Sequence, residues 1–246
     1  MEDIKLWELA FENRREVTDE IARMHNIKGI LSHTSLFKML DNEQLEEIGA
    51  DTQTIRAPAH TNVVHQGDAG KGVFVVVYGQ VKIYFVRKDG TEKTLAILDQ
   101  NKCFGLSEML LDRAHLAFVK TTTDSMLLHT SREKVMEVAQ CNFGFAQEMM
   151  ICVGRQLYTL TRDIESYSLQ TAKQRLVAYL LRQTQYQATQ SVVLIASKAL
   201  IASRLNLTPE TLSRLLHELS SSGLISVSGR TIEILDFEKM AALLSI

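Results

Sequence analysis

Glu210, Ser213 and Arg214 stand at offsets i, i+3 and i+4 in the run L-T-P-E-T-L-S-R-L-L-H-E-L. At helical pitch this spacing puts the three side chains on one face, opposite Leu212 and Leu215. Each has a task at a base edge: arginine is bidentate on guanine, glutamate accepts from cytosine N4, and serine bonds to either. A solvated helix face with Arg214 paired to Glu210 meets the same spacing, so the pattern alone leaves both readings open. Other chemistry is poorly represented. Cys103, Cys141 and Cys152 are too few and too scattered for a disulfide framework, a CxxC metal site or a four-cysteine iron–sulfur cluster. His60 and His65 lie five apart with no H-x-H pair, so a cupin-like metal enzyme is only a distant alternative. The chain is expected not to be an enzyme, and no metal ligand set is assigned.

The elements that must hold the triad are legible around it. Upstream, S-K-A-L-I-A-S-R-L has Leu200, Ile201 and Leu205 pointing inward, joined by Leu207, Leu212 and Leu215 further on. Asn206 falls at the turn, where asparagine tolerates the left-handed conformation. Thr208 suits an N-cap and Pro209 the first helical position, with Thr211 following in the first turn. Downstream, G-L-I-S-V-S-G-R-T-I-E-I-L-D reads as a β-ribbon turning at S-G-R. With a helix and a short strand before it, the C-terminal order outlines a winged helix-turn-helix.

Ala146, Met150, Val153, Leu157, Leu160, Ile164 and Tyr167 recur at spacings of 4, 3, 4, 3, 4 and 3. So narrow a stripe predicts a helix paired with its copy in a two-fold dimer, with a helix packed on its own domain as the alternative. Residues 52–130 read instead as many short strands separated by turn signals such as G-D-A-G-K-G and R-K-D-G-T, the texture of a small barrel or jelly roll. Residues 1–28 carry a helical pattern with Ile4, Trp7 and Phe11 on one face. The resulting division is 1–28 an N-terminal helical extension, 29–142 a β-roll sensing domain, 143–167 a dimerisation helix, and 168–246 the winged helix-turn-helix.

Composition agrees with a globular chain. Of 246 residues, 46% are hydrophobic and only two are proline, which argues against disorder. No apolar run approaches the ~18 residues of a membrane span, and the charged start M-E-D-I-K-L-W-E lacks a signal-peptide core. A cytoplasmic protein with no membrane partner is expected. The formal net charge is −2, yet residues 169–246 carry eight Lys/Arg against five Asp/Glu. The basic excess lies beside the candidate reading helix, where a phosphate-facing surface needs it.

The order β-roll, long helix, winged helix-turn-helix resembles the Crp/Fnr family of bacterial transcription regulators, from about residue 29 to residue 246. The segments that carry the likeness are V-V-H-Q-G-D-A-G-K-G-V-F-V-V-V-Y-G-Q-V-K-I-Y, D-G-T-E-K-T-L-A-I-L and the C-terminal ribbon. The E-x-x-S-R of Glu210, Ser213 and Arg214 is similar to the Fnr and Dnr branch, whereas the Crp branch has glycine at the serine position. The resemblance implies an α+β chain with an N-terminal antiparallel jelly roll, a long dimerisation helix and a C-terminal reading domain. It further implies a homodimer that binds double-stranded DNA at a TTGAT-type inverted repeat, with Arg214 on guanine and Glu210 and Ser213 setting neighbouring preferences. Thr208, Pro209, Thr211, Lys198, His217 and Arg230 are candidate supporting contacts. The loop V-R-K-D-G-T-E-K becomes a candidate RNA polymerase contact.

The family's cyclic-nucleotide members hold ribose with a glutamate and the cyclic phosphate with an Arg-Ser pair. Here the matching region is C-F-G-L-S-E-M-L-L-D-R-A-H-L-A-F-V, with His115, Leu116 and Ala117 where Arg-Ser would stand and only Arg113 nearby. Without that arginine a buried phosphodiester has no bidentate partner, so a cAMP-responsive Crp-type regulator is the disfavoured alternative. Haem-binding members of the family leave haem and nitric oxide open as the signal. Phe104, Gly105, Glu108, Met109, His115, Met149 and Cys152 form the candidate effector pocket, with His115 or Cys103 as the ligand types for iron.

Overall fold

A computed structural model describes residues 27–187 and 191–244 of the chain. The helical pattern expected over residues 1–28 lies almost wholly outside the described residues.

The first helix, α1 (residues 27–32), leads by a turn into α2 (Asn42–Asp51). Asp41 and Gln44 close a capping box at the start of α2: the Gln44 amide donates to Asp41 Oδ1 and the Asp41 amide to Gln44 Oε1. Eight strands follow, β1 (Gln53–Ala57), β2 (Asn62–Val64), β3 (Gly72–Tyr78), β4 (Val81–Val86), β5 (Glu92–Leu98), β6 (Cys103–Phe104), β7 (Phe118–Thr121) and β8 (Ser125–Ser131). They form two four-stranded sheets, β1-β8-β3-β6 and β2-β7-β4-β5. The run G-V-F-V-V-V-Y of β3 is buried over its first five residues. It lies between β8 and β6, so β-branched side chains fill both of its faces. The antiparallel jelly roll expected from the sequence is thus present. Two strands were not legible in advance: β6 has only two residues and β7 lies in the cassette region, where α3 (Leu106–Leu111) also forms.

The chain then becomes helical, with α4 (Arg132–Cys141) capped by Ser131 and α5 running unbroken over Phe143–Leu169. The Asn142 side chain accepts from the Phe145 amide and starts α5. Leu31, Phe37, Ile48, Val75, Met109, Leu128, Phe145 and Met149 share one core, in which the Phe37 and Phe145 rings stack 5.6 Å apart. The C-terminal region comprises α6 (Ala172–Gln187), β9 (Ser191–Val193), α7 (Lys198–Arg204), α8 (Pro209–Ser221), β10 (Ile225–Ser228), β11 (Thr231–Ile234) and α9 (Phe237–Ala242). Its separate core gathers Leu176, Leu180, Val192, Ile201, Leu212, Leu216, Leu219, Ile232 and Met240. By packing, the described residues fall into two compact units, one reaching to Lys82 and resuming over Leu98–Arg155, the other comprising Ile83–Ile97 and the described residues from Gln156 onward.

Candidate nucleic-acid interface and effector site

The reading element is built as its sequence spacing requires. Asn206 sits at φ 57° in the turn between α7 and α8, and the Leu207 amide reaches back to the Ala202 carbonyl. The Thr208 hydroxyl accepts from the Thr211 amide at 3.2 Å, and Pro209 follows at the helix start, where it forfeits no hydrogen bond. Leu212, Leu215, Leu216 and Leu219 are buried, while Glu210, Ser213, Arg214 and His217 are exposed. Glu210 is not neutralised by Arg214. Its carboxylate is held below the ordinary range by a hydrogen bond from its own backbone and one from Thr208. Arg214 is exposed on the same helix, where the Glu218 carboxylate is held low by Lys173 first and also by the Arg214 charge. Lys198 and Arg230 are exposed at the start of α7 and in the β10–β11 turn, and Gly229 takes φ 59° there. The ribbon pairs Val227 with Ile232, and β9 adds a third strand against β11.

A polar cluster absent from the sequence reading lies against the end of α7. Lys93 Nζ donates to the Ser203 carbonyl at 2.6 Å and to Asn206 Oδ1 at 3.2 Å, while the Thr94 amide donates to Ser203 Oγ. The Lys93 ammonium also lies 5.0 Å above the Tyr167 ring. Tyr167 donates its hydroxyl proton to the Arg204 carbonyl and accepts from Arg204 Nη1, and Arg204 Nη2 meets Asp163 Oδ2 at 2.6 Å. Burial, then the neighbouring Arg204 and Arg175 charges, bring the Lys93 ammonium down to about 8. One end of V-R-K-D-G-T-E-K is therefore occupied within the chain itself. Its only advance signal was a lysine at the edge of a β-run.

Along α5 the predicted stripe divides into two rows. Met150, Leu157 and Ile164 are 59–66% exposed, and Phe143 extends the same seven-residue row at 77%. Ala146, Val153, Leu160 and Tyr167 are half-buried; Val153 packs on the roll core and Tyr167 is engaged with Arg204. Phe143 was missed because the stripe was traced only from Ala146, although the spacing already included it.

In the roll, Gly105 begins α3 at φ 85°. A Cβ there would lie 2.9 Å from the Gly72 carbonyl oxygen and 3.3 Å from the Phe74 ring, so only glycine fits. Phe104 stacks on Phe74 at 4.8 Å, and His129 packs on the same phenylalanine at 4.4 Å. Burial pushes the His129 imidazole below its ordinary range. His115, a residue of the candidate effector pocket, is only 5% exposed. Its amide donates to the Asp68 carbonyl, its carbonyl accepts from the Gly67 amide, and Nδ1 lies 3.9 Å from Glu108 Oε1. Met109 and Met149 are buried together in the roll core, and Cys103 and Cys152 lie half-buried at its margin. Arg113 is exposed. Sequence reasoning missed Phe74 and His129, which reach this region only through strand pairing. Among the described residues no group of three His, Cys, Asp or Glu is placed to hold a metal ion, and no helix is long and apolar enough to cross a membrane.

A jelly roll followed by a long helix and a winged helix-turn-helix defines a class of DNA-binding regulator. Residues 54–142 match the cyclic nucleotide-binding domain family, and residues 174–243 match the Crp-like helix-turn-helix domain family. The Cyclic AMP receptor protein of Thermus thermophilus is 27% identical over 199 residues, covering 81% of this chain and 91% of that protein. FixK2 from Bradyrhizobium japonicum superposes with a TM-score of 0.71 at 22% identity, over 78% of this chain and 96% of that one. A CooA variant from Carboxydothermus hydrogenoformans gives 0.68 at 22% identity, over 79% and 88%. With both characteristic domains matched in order, the chain belongs to the Crp/Fnr family of DNA-binding transcription regulators.

Proposed function

We propose that the protein is a homodimeric, sequence-specific transcription regulator that reads a TTGAT-type inverted repeat, under the control of its jelly roll. The carrying observation is the outer face of α8, where Glu210, Ser213 and Arg214 are exposed together over a leucine-packed inner face. Arg214 would bind guanine through O6 and N7, with Glu210 and Ser213 choosing the neighbouring pairs. Lys198, His217 and Arg230, with Thr208, Pro209 and Thr211 at the helix start, would meet the phosphate backbone around it. Two copies would join along the exposed row Phe143, Met150, Leu157 and Ile164, placing their reading helices in successive major grooves one turn apart. RNA polymerase is retained as a partner on family resemblance alone.

The test is a mobility-shift titration on TTGAT and TGTGA palindromes with Arg214→Ala. Loss of one bidentate contact is worth about 1–3 kcal/mol, so affinity for TTGAT should fall about 5- to 150-fold while the dimer persists. Unchanged affinity would refute the base-reading role.

For the signal, the roll residues favour a small ligand near Phe104, Gly105, Glu108, Met109 and His115 over a cyclic nucleotide. His115 occupies the place of the phosphate-binding arginine, and it is buried. A haem fits this donor set poorly: the His115 ring lies against Gly105, 3.6 Å from where a Cβ would stand, and Cys103 is half-buried at the start of β6. No step of the proposed control is therefore routed through haem. An absorption spectrum with added haem and nitric oxide tests this directly, since a Soret band that moves with nitric oxide would restore the haem reading.

A further inference from the structure

The last carbonyls of a helix have no partner within it and must find donors elsewhere. At the end of α7 those donors come from three other elements, all in the same compact unit. The Ser203 carbonyl accepts from Lys93 Nζ of β5 at 2.6 Å, the Arg204 carbonyl from the Tyr167 hydroxyl of α5 at 2.6 Å, and the Leu205 carbonyl from Arg175 Nε of α6 at 2.9 Å. Lys93 also reaches Asn206 Oδ1 at 3.2 Å, and the Thr94 amide donates to Ser203 Oγ at 3.0 Å. Arg175 is itself fixed, since its Nη1 donates to the Gln170 carbonyl at 2.7 Å. Lys93 and Arg175 thus place two cations at the negative end of the α7 dipole, where positive charge is favoured. Ile97, further along β5, packs against the C-terminal core, so the strand that carries Lys93 is anchored there. Asn206 stands two residues before the N-cap Thr208, and the pinned turn therefore ends where α8 begins.

We propose that Lys93 is a positioning residue for DNA reading: by holding the α7–α8 turn from β5, it fixes the angle at which α8 presents Arg214. This role rests on the assignment of α8 as the reading helix. Arg214 lies five residues beyond Pro209, roughly 7.5 Å along the helix at 1.5 Å per residue. A tilt of about 10° at the turn displaces it by about 1.3 Å, whereas the donor–acceptor distances of good hydrogen bonds span only ~0.5 Å. A bidentate arginine on guanine has little room to absorb that shift. Phosphate contacts carry no sequence information and supply most of the nonspecific affinity, so they are less sensitive to the angle of one helix. The buried side chains of Ile201, Leu205, Leu212 and Leu216 hold α7 and α8 in their core without Lys93. Its loss should therefore leave the fold in place and loosen the turn.

The full chain is compared with Lys93→Met, Arg214→Ala and the double variant, each titrated at one salt concentration against a TTGAT palindrome and a random duplex of equal length. Lys93→Met should lose about tenfold in affinity for the palindrome, the scale of one charge-assisted hydrogen bond, and keep its affinity for the random duplex. In the Arg214→Ala background the same change should cost little more, because the contact it misplaces is already gone. Hydrogen exchange of the DNA-free protein should show faster exchange over residues 203–212 in Lys93→Met. Asn206→Gly keeps the left-handed turn at φ 57° and removes one of the two Lys93 acceptors. It should show the same pattern more weakly, and it serves if Lys93→Met fails to fold. Unchanged exchange over the turn would overturn the proposal. So would normal palindrome affinity in Lys93→Met alongside a loss in Arg214→Ala, or an equal loss on both duplexes. Normal palindrome affinity in Arg214→Ala would instead overturn the reading role of α8, and this role of Lys93 with it.

Discussion

Ser213 and Arg214 are neighbours on α8, yet their expected contributions to recognition differ. Arginine supplies two parallel donors to one guanine, whereas the serine hydroxyl serves as donor or acceptor and sets preference rather than affinity. Ser213→Gly should therefore bind TTGAT and TGTGA half-sites more evenly, with a smaller affinity change than Arg214→Ala. Competition mobility shifts measure that ratio, and an unchanged ratio would remove Ser213 from the recognition code. The facing of these residues was readable from a 3.6-residue period. His115 was not so readable, because two backbone hydrogen bonds from the Gly67–Asp68 segment fold its loop inward. Such long-range pairing leaves no local trace.

At the scale of elements, α5 and the start of α3 carry the sharpest expectations. Leu157 lies in the middle of the exposed row and is 64% exposed in the single chain. Leu157→Glu places a charge in the proposed seam and should yield monomers in sedimentation velocity, with the roll intact by circular dichroism. A dimer that survives this change would move the interface elsewhere. Gly105→Ala faces a left-handed backbone worth about 1–2 kcal/mol and a clash with the Gly72 carbonyl. Its urea midpoint should drop accordingly, whereas Gly90→Ala, at φ 82° in the β4–β5 turn with open space around it, should lose only the backbone contribution. The heptad spacing was legible in the chain, although Phe143 was overlooked. The two rows differ in burial because Val153 and Tyr167 find partners in their own chain. No period reveals that. β6 escaped notice for another reason: two residues cannot display an alternation.

Over the whole molecule, a net charge of −2 conceals a C-terminal region with a basic excess. Binding to any DNA should weaken steeply with salt, because each neutralised phosphate releases counterions. Lys198→Ala or Arg230→Ala should weaken specific and nonspecific complexes alike and lower the slope of log K against log salt by about one. A base-specific loss from either change would instead place that residue at a base edge.

The sequence by itself determined the order of domains, the winged helix-turn-helix, the capped reading helix with Glu210, Ser213 and Arg214 outward, and the seven-residue row on α5. These follow from local periodicity, capping chemistry and turn residues, each settled within a few turns of chain. Only the tertiary structure decided that His115 is buried beside Glu108, that Phe74 and His129 join Phe104, and that Lys93 is held at the end of α7. Each of these rests on strands or helices paired across long stretches of chain. A side chain's neighbours are then set by sheet register and core packing, which no short window of sequence contains.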